Sequence, residues 1–268
     1  MGLRKTIFGR SKVSTIYYRG KNRTNLSTQM YSSFNPTGTR LYLTLHNGPD
    51  SVAQYSLSTP WDISTAVYLN RSLTINQNGE SQPRGHYISP DGTRLFVSGT
   101  SSGSVLSYLL STPWDVSTAS YLGFKSFGIY TNTIAFTPDG MSFFNHTGSS
   151  LIKYLLTTPW DLNTAVSSQS INFSANSFVF TPDGKTIFHP KLVGERSVMK
   201  ISLKAPYELA GANTSASINL STVIPAANFY AVNFSIDGLK MFWSSYTSSI
   251  YEFDLSKPYD INGKLIIV

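Results

Sequence analysis

The chain has 268 residues, 41% of them hydrophobic and 13% aromatic, which is enough core for one large domain or two small ones and excludes collagen-like, disordered and coiled-coil classes. Its formal charge of +7 is segregated: Arg4, Lys5, Arg10, Lys12, Arg19, Lys21 and Arg23 precede any acidic residue, and residues 24–268 hold equal numbers of acidic and basic side chains. With only 13% charged residues and no cysteine, the composition favours many short strands, and disulfides, thiolate metal sites and a cysteine nucleophile are excluded.

Residues 1–12 read as a basic N-terminal arm, and Arg4, Lys5, Arg10 and Lys12 are its candidate anchoring side chains. The stretch after Met1 lacks the apolar run of a secretory leader, and no segment reaches the roughly 18 apolar residues of a membrane span. Residues 13–20, VSTIYYRG, align with VSTASYLG at 116–123 and predict a closing strand, with 13–30 as the lead-in to the main domain.

From residue 31 the chain repeats five times. A tight-turn marker recurs as FNPTGTRLY (34–42), ISPDGTRLF (88–96), FTPDGMSFF (136–144), FTPDGKTIF (180–188) and FSIDGLKMF (234–242). Pro presets φ, Asp bonds to the local backbone, and Gly accepts positive φ. About twenty residues later in each copy comes YSLSTPWDISTA, YLLSTPWDVSTA, YLLTTPWDLNTA, ISLKAPYELAGA or FDLSKPYDINGK. Alternating positions before the turn predict an innermost strand a; strands b, c and d follow. Trp61, Trp114 and Trp160, in the c–d segment, are expected to fold back as hydrophobic plugs against their own blades.

The predicted fold class is therefore all-β: residues 13–268 form a single five-bladed β-propeller of four-stranded antiparallel blades, at about 31–70, 84–123, 131–168, 176–220 and 229–268. Two d-like strands, 13–20 and 264–268, compete for the fifth blade, and closure by 13–20 is favoured, the other forming an outer strand or pairing with a neighbouring subunit.

The PDG turns resemble those of YVTN, NHL and TolB-like propeller repeats. The Y-x-L-S-T-P-W-D-x-S-T-A segment is similar to a repeat in propeller domains of virion and tail-associated proteins of tailed bacteriophages, closely in copies one to three and loosely where Tyr207 and Tyr259 replace Trp. That resemblance implies a virion surface or tail component.

The residues themselves disclose little chemistry. Nine of the fourteen carboxylates occupy the two repeated turns, leaving Asp50, Glu80, Glu195, Glu252 and Asp254. Six residues before each a–b turn Pro, or Ile236 in the fifth copy, stand Met30, Arg84, Asn132, Asn176 and Tyr230. Asn132 and Asn176 could ligate Ca²⁺, but no acid accompanies them, so no metal and no cofactor are expected. The histidines are scattered, and no nucleotide-binding glycine motif or catalytic triad order stands out.

Loops b–c and d–a differ in every copy, and divergent loops on a rigid frame can carry recognition. Their aromatic residues Phe127, Tyr130, Tyr230, Trp243 and Tyr246, with His146, Asn132 and Asn176, form the candidate ligand-binding set, suited to sugar rings that stack on aromatic faces. The expectation is a non-enzymatic virion protein that recognises a host surface glycan and is held to other virion proteins by its basic arm, without sequence-specific nucleic-acid binding. The alternative is a bacterial extracytoplasmic propeller, acting as a lactonase-like hydrolase or an interaction scaffold.

Overall fold

The computed structural model describes residues 14–24, 29–46, 50–75, 80–191, 196–224, 229–245 and 249–268. The arm residues Arg4, Lys5, Arg10 and Lys12, together with Glu195 and Tyr246, lie outside them. Two short strands come first, β1 (Thr15–Tyr18) and β2 (Asn22–Arg23). Blade one is β3 (Gln29–Phe34), β4 (Arg40–Leu45), β5 (Ser51–Leu57) and β6 (Ala66–Thr74). Blade two is β7 (Pro83–Ile88), β8 (Arg94–Gly99), β9 (Ser104–Leu110) and β10 (Ala119–Ser126). Blade three is β11 (Thr133–Phe136), β12 (Ser142–His146), β13 (Ser150–Leu155) and β14 (Val166–Asn172). Blade four is β15 (Val179–Phe180), β16 (Thr186–Pro190), β17 (Ser197–Ser202) and β18 (Asn213–Asn219). The fifth contains β19 (Phe229–Phe234), β20 (Lys240–Ser245), β21 (Ser249–Leu255) and β22 (Lys264–Ile267). The protein is an all-β, five-bladed propeller of antiparallel blades.

The N-terminus closes the ring. In blade five the order is β19-β20-β21-β1-β22, so β1 fills the fourth position, antiparallel to β21 with Ile16 opposite Leu255. Strand β22 then pairs parallel to β1, Ile16 opposite Leu265, as a further outer strand. Both strands occupy d-type positions and run in the same direction, which makes their pairing parallel.

Five hydrophobic clusters hold the ring, and each is shared by two adjacent blades. Their construction repeats. The plug residues Trp61, Trp114, Trp160, Tyr207 and Tyr259 all have φ between 53° and 66°, a left-handed conformation unusual for bulky side chains. Each donates its backbone N–H to the carbonyl of the a–b turn glycine of its own blade, as Trp160 does to Gly140 at 3.0 Å. The ring then lies flat on that glycine: a Cβ on Gly140 would sit 2.3 Å from the Trp160 indole. The opposite side of the plug faces the preceding blade. Trp160 stacks on Phe96 at 6.2 Å, Trp61 on Phe242 at 6.3 Å, and Tyr207 meets Phe144 at 6.2 Å. The plug therefore does not serve its own blade alone, as the repeat pattern suggested; it spans the junction, because strand b of one blade presents an aromatic ring where the next blade's turn arrives.

Polar contacts follow the same junctions. The side chains of Asp62, Asp115 and Asp161 cap the 3₁₀ turns that follow the plug. The first residue of that turn donates its N–H to the preceding blade: Ile63 to Glu252 at 3.1 Å, Val116 to Gln54 at 3.1 Å, and Leu209, at the corresponding place, to Gln169 at 2.8 Å. In the a–b turns Asp91, Asp139, Asp183 and Asp237 accept from a Ser or Thr hydroxyl and a backbone N–H, which holds their carboxyls below the usual aspartate range.

Contact and conformation can be separated by two glycines. Gly128 has φ +67° with nothing within 4 Å of a built Cβ, so Gly128→Ala is expected to cost about 1–2 kcal/mol from the left-handed backbone alone. Gly140→Ala carries that cost plus about 1–3 kcal/mol of overpacking against Trp160. Denaturant unfolding of the two variants checks this, and equal losses would contradict the stacked plug.

Candidate functional site

Strands a surround the central channel, and their side chains alternate between the two neighbouring blades. Ser32 meets Ser244 of blade five at 2.7 Å, while Ser33 meets His86 of blade two at 2.6 Å. The cavity-lining residues lie where that alternation is interrupted or before it begins. In blades two and five the strand a–b register shifts between Pro83 and Gly85, and between Phe229 and Ala231, so Arg84 and Tyr230 are the extra residues of β-bulges. Met30 occupies the equivalent shift in blade one. Asn132 and Asn176 precede the shorter strands β11 and β15 at matching sequence positions.

Arg84, Asn132, Asn176 and Tyr230 together line a cavity of about 200 Å³. Their backbones and neighbours are pinned. Asn132 donates its N–H to the His146 carbonyl at 2.8 Å and accepts the Ser98 hydroxyl at 3.0 Å; Asn176 accepts the Thr133 hydroxyl at 2.8 Å. The guanidinium Nε of Arg84 donates to Thr100 Oγ1 at 3.3 Å. No carboxylate lines the cavity, and no group of three or more His, Cys, Asp or Glu that could hold a metal ion occurs among the described residues. A guanidinium with two carboxamides and a phenol suits an anion carrying hydroxyls and repels a cation.

The structure thus brings together Asn132, Asn176 and Tyr230 from the candidate set and adds Arg84, whose equivalent position was visible but was not counted as a ligand. The remaining candidates disperse. Trp243 is fully buried, 0% exposed, within the blade-five core: strand b is covered on both faces by adjacent blades, so an apolar residue there has no surface to reach. His146 is also 0% exposed. Its Nε2–H donates to the Phe173 carbonyl at 3.2 Å and its Nδ1 accepts the Gly148 N–H at 3.1 Å, with Phe173 stacked between it and His189. Phe127 is half-buried against Phe143 and Tyr154. Tyr130, at 68% exposure, does stand in solvent.

Two histidine pairs need chemical assessment. Ser33, His86 and Thr44 form a hydrogen-bonded series at 2.6 and 2.7 Å, but burial pushes His86 down to about 3, too weak a base to activate Ser33 at neutral pH. His46 Nδ1 lies 3.0 Å from Asp50 Oδ1, in the b–c loop of blade one at the same end of the ring as the cavity.

No protein-family model matches the chain, and no curated protein matches its sequence. Solved structures do match in shape. A candidate 6-phosphogluconolactonase from Bacteroides fragilis aligns over 87% of this chain and 67% of its own, with 14% identity and a TM-score of 0.50. A second candidate 6-phosphogluconolactonase, from Bacteroides uniformis, aligns over 84% and 66% with 14% identity and a TM-score of 0.47. A Lactobacillus plantarum protein aligns over 71% and 54% with 19% identity and a TM-score of 0.45. The chain spans about two thirds or less of the length of these structures. The likeness is one of fold, and none of the three bears the name of a virion protein. The expectation of a non-enzymatic protein is corrected on one point: the Bacteroides fragilis propeller that shares this fold carries the name of a hydrolase.

Burial of neutral imidazoles has a measurable consequence. Desolvation lowers His86 to about 3 and His146 and His189 to about 4, below the ordinary value near 6.5. The unfolded chain therefore binds more protons in this window, and the stability these groups contribute is complete above pH ~6.5 and lost as pH falls through about 4. Melting temperature is expected to drop steadily from pH 6.5 to 4, less steeply in His146→Phe. A flat wild-type profile over this range would contradict the buried neutral rings.

Proposed function

We propose that the channel cavity binds a small anionic, hydroxyl-bearing molecule and that the protein is a lactonase-like hydrolase acting on a sugar-acid lactone. The observation that carries this reading is the convergence of Arg84, Asn132, Asn176 and Tyr230 on one cavity, with no acidic residue among the described residues that line it. Arg84 pairs with a phosphate or carboxylate of the substrate, and the carboxamides and phenol take its hydroxyls and carbonyl. At about 200 Å³ the cavity lies below the roughly 300–1,000 Å³ of drug-sized sites, which restricts the ligand to about one ring. The shared fold with a candidate 6-phosphogluconolactonase supports this substrate class.

The test compares hydrolysis of a phosphorylated and an unphosphorylated gluconolactone by pure protein, after subtraction of spontaneous opening. Turnover of the phosphorylated lactone is expected, with Arg84→Ala lowering kcat/KM about 100-fold or more, mainly through KM. Absence of both turnover and binding in the wild-type protein would overturn the reading.

A further inference from the structure

Glu80 is a carboxylate buried to 0% exposure at the end of the loop that leads from blade one into β7, and neither the fold repeat nor the proposed chemistry uses it. Its surroundings are built for it. Oε1 accepts the N–H of Gln82 at 2.8 Å, the N–H of Ser101 at 3.2 Å and the Ser101 hydroxyl; Oε2 accepts the N–H and hydroxyl of Ser102 at 3.2 and 2.7 Å. Burial raises its pKa, but these hydrogen bonds outweigh burial and hold the carboxyl below the usual glutamate range. The approach is so close that a Cβ on Gly99 would fall 2.0 Å from the Glu80 carboxyl carbon.

The bonds join the d–a loop to the b–c hairpin of blade two, and the link continues to the channel. Thr100, next to Ser101, donates its N–H to the Gln82 carbonyl at 3.1 Å and its hydroxyl to Gln82 Oε1 at 3.0 Å. Thr100 Oγ1 also accepts Arg84 Nε–H at 3.3 Å. A hydroxyl has one proton and two lone pairs, so its donation to Gln82 orients it to accept from Arg84.

We infer that Glu80 is a positioning residue: it clamps residues 80–82 to 100–102 so that Thr100 fixes the guanidinium of Arg84 for anion recognition in the channel. The inference rests on the anion-binding reading above for its purpose, while the fixation of Arg84 is testable without any ligand. A bulged arginine is long and rotamer-rich, and holding it in advance removes ordering that binding would otherwise have to impose.

The experiment follows the Arg84 Nε–H resonance in ¹⁵N-labelled protein, assigned by its loss in Arg84→Lys, alongside titration with inorganic phosphate. In the wild-type protein this proton is expected to exchange with water at least fivefold more slowly than that of an exposed arginine. Glu80→Gln and Thr100→Val should both accelerate its exchange to the surface rate and weaken phosphate binding about 3–10-fold, whereas Thr100→Ser should restore both. If Glu80→Gln fails to fold, Ser102→Ala, which removes the hydroxyl that Glu80 Oε2 accepts, takes its place and should likewise accelerate Arg84 exchange. Unchanged Arg84 exchange in the folded variants would overturn the inference. Absence of phosphate binding by the wild-type protein, with slow Arg84 exchange intact, would overturn the anion-binding reading and leave the clamp standing.

Discussion

Everything in this ring depends on an aromatic side chain held in a left-handed backbone conformation on top of a glycine. The arrangement carries an intrinsic penalty of about 1–2 kcal/mol at each of five plugs, and it persists because three features overdetermine it. The plug N–H is bonded to the turn glycine, the ring covers that glycine, and at four of the plugs it also meets an aromatic ring of the preceding blade. The glycine is required because any Cβ would enter the ring. The aspartate after the plug then caps the 3₁₀ turn, whose first N–H reaches back across three of the junctions. One short segment thus joins two turns of its own blade to the sheet of its neighbour, and five repetitions with β1 as the last strand close the circle.

That construction also determines where chemistry can occur. Strand b is packed on both faces, which is why Trp243 and His146 are unavailable to a ligand. The four residues that line the channel cavity escape the two-residue period of strand a. Arg84 and Tyr230 do so through β-bulges, and Asn132 and Asn176 by preceding their strands. The result is a small cavity with one permanent positive charge and three neutral hydrogen-bonding groups. The anion binding proposed for it rests on the ring's exceptions to the repeat.

Fold and site differed in how far the sequence disclosed them. The five glycine turns, three of them PDG, and the five Pro-aromatic segments carried the blade count and the turns, and the likeness of 13–20 to 116–123 carried the closing strand, because those features are local and recur. That the plug crosses the junction was hidden, since a repeat spacing does not distinguish a contact within a blade from the same contact between blades. Asn132, Asn176 and Tyr230 were legible as equivalent positions, but their companion Arg84 went uncounted because the search was for calcium ligands. Trp243 was misplaced because it was grouped with the b–c loop aromatics, while it lies within β20, where the register with Val232 and Tyr251 puts it inside. Glu80 could not have been found: its five donors come from residues 82, 101 and 102, and only the folded loop pairing collects them.

The central claim is that the plug joins adjacent blades, and a double-mutant cycle on Phe96 of blade two and Trp160 of blade three measures it most directly. Unfolding free energies of Phe96→Leu, Trp160→Leu and the double variant yield the coupling between the two rings. A coupling of about 0.5–1.5 kcal/mol is expected for a stacked aromatic pair. Additive losses, with no coupling, would contradict the account.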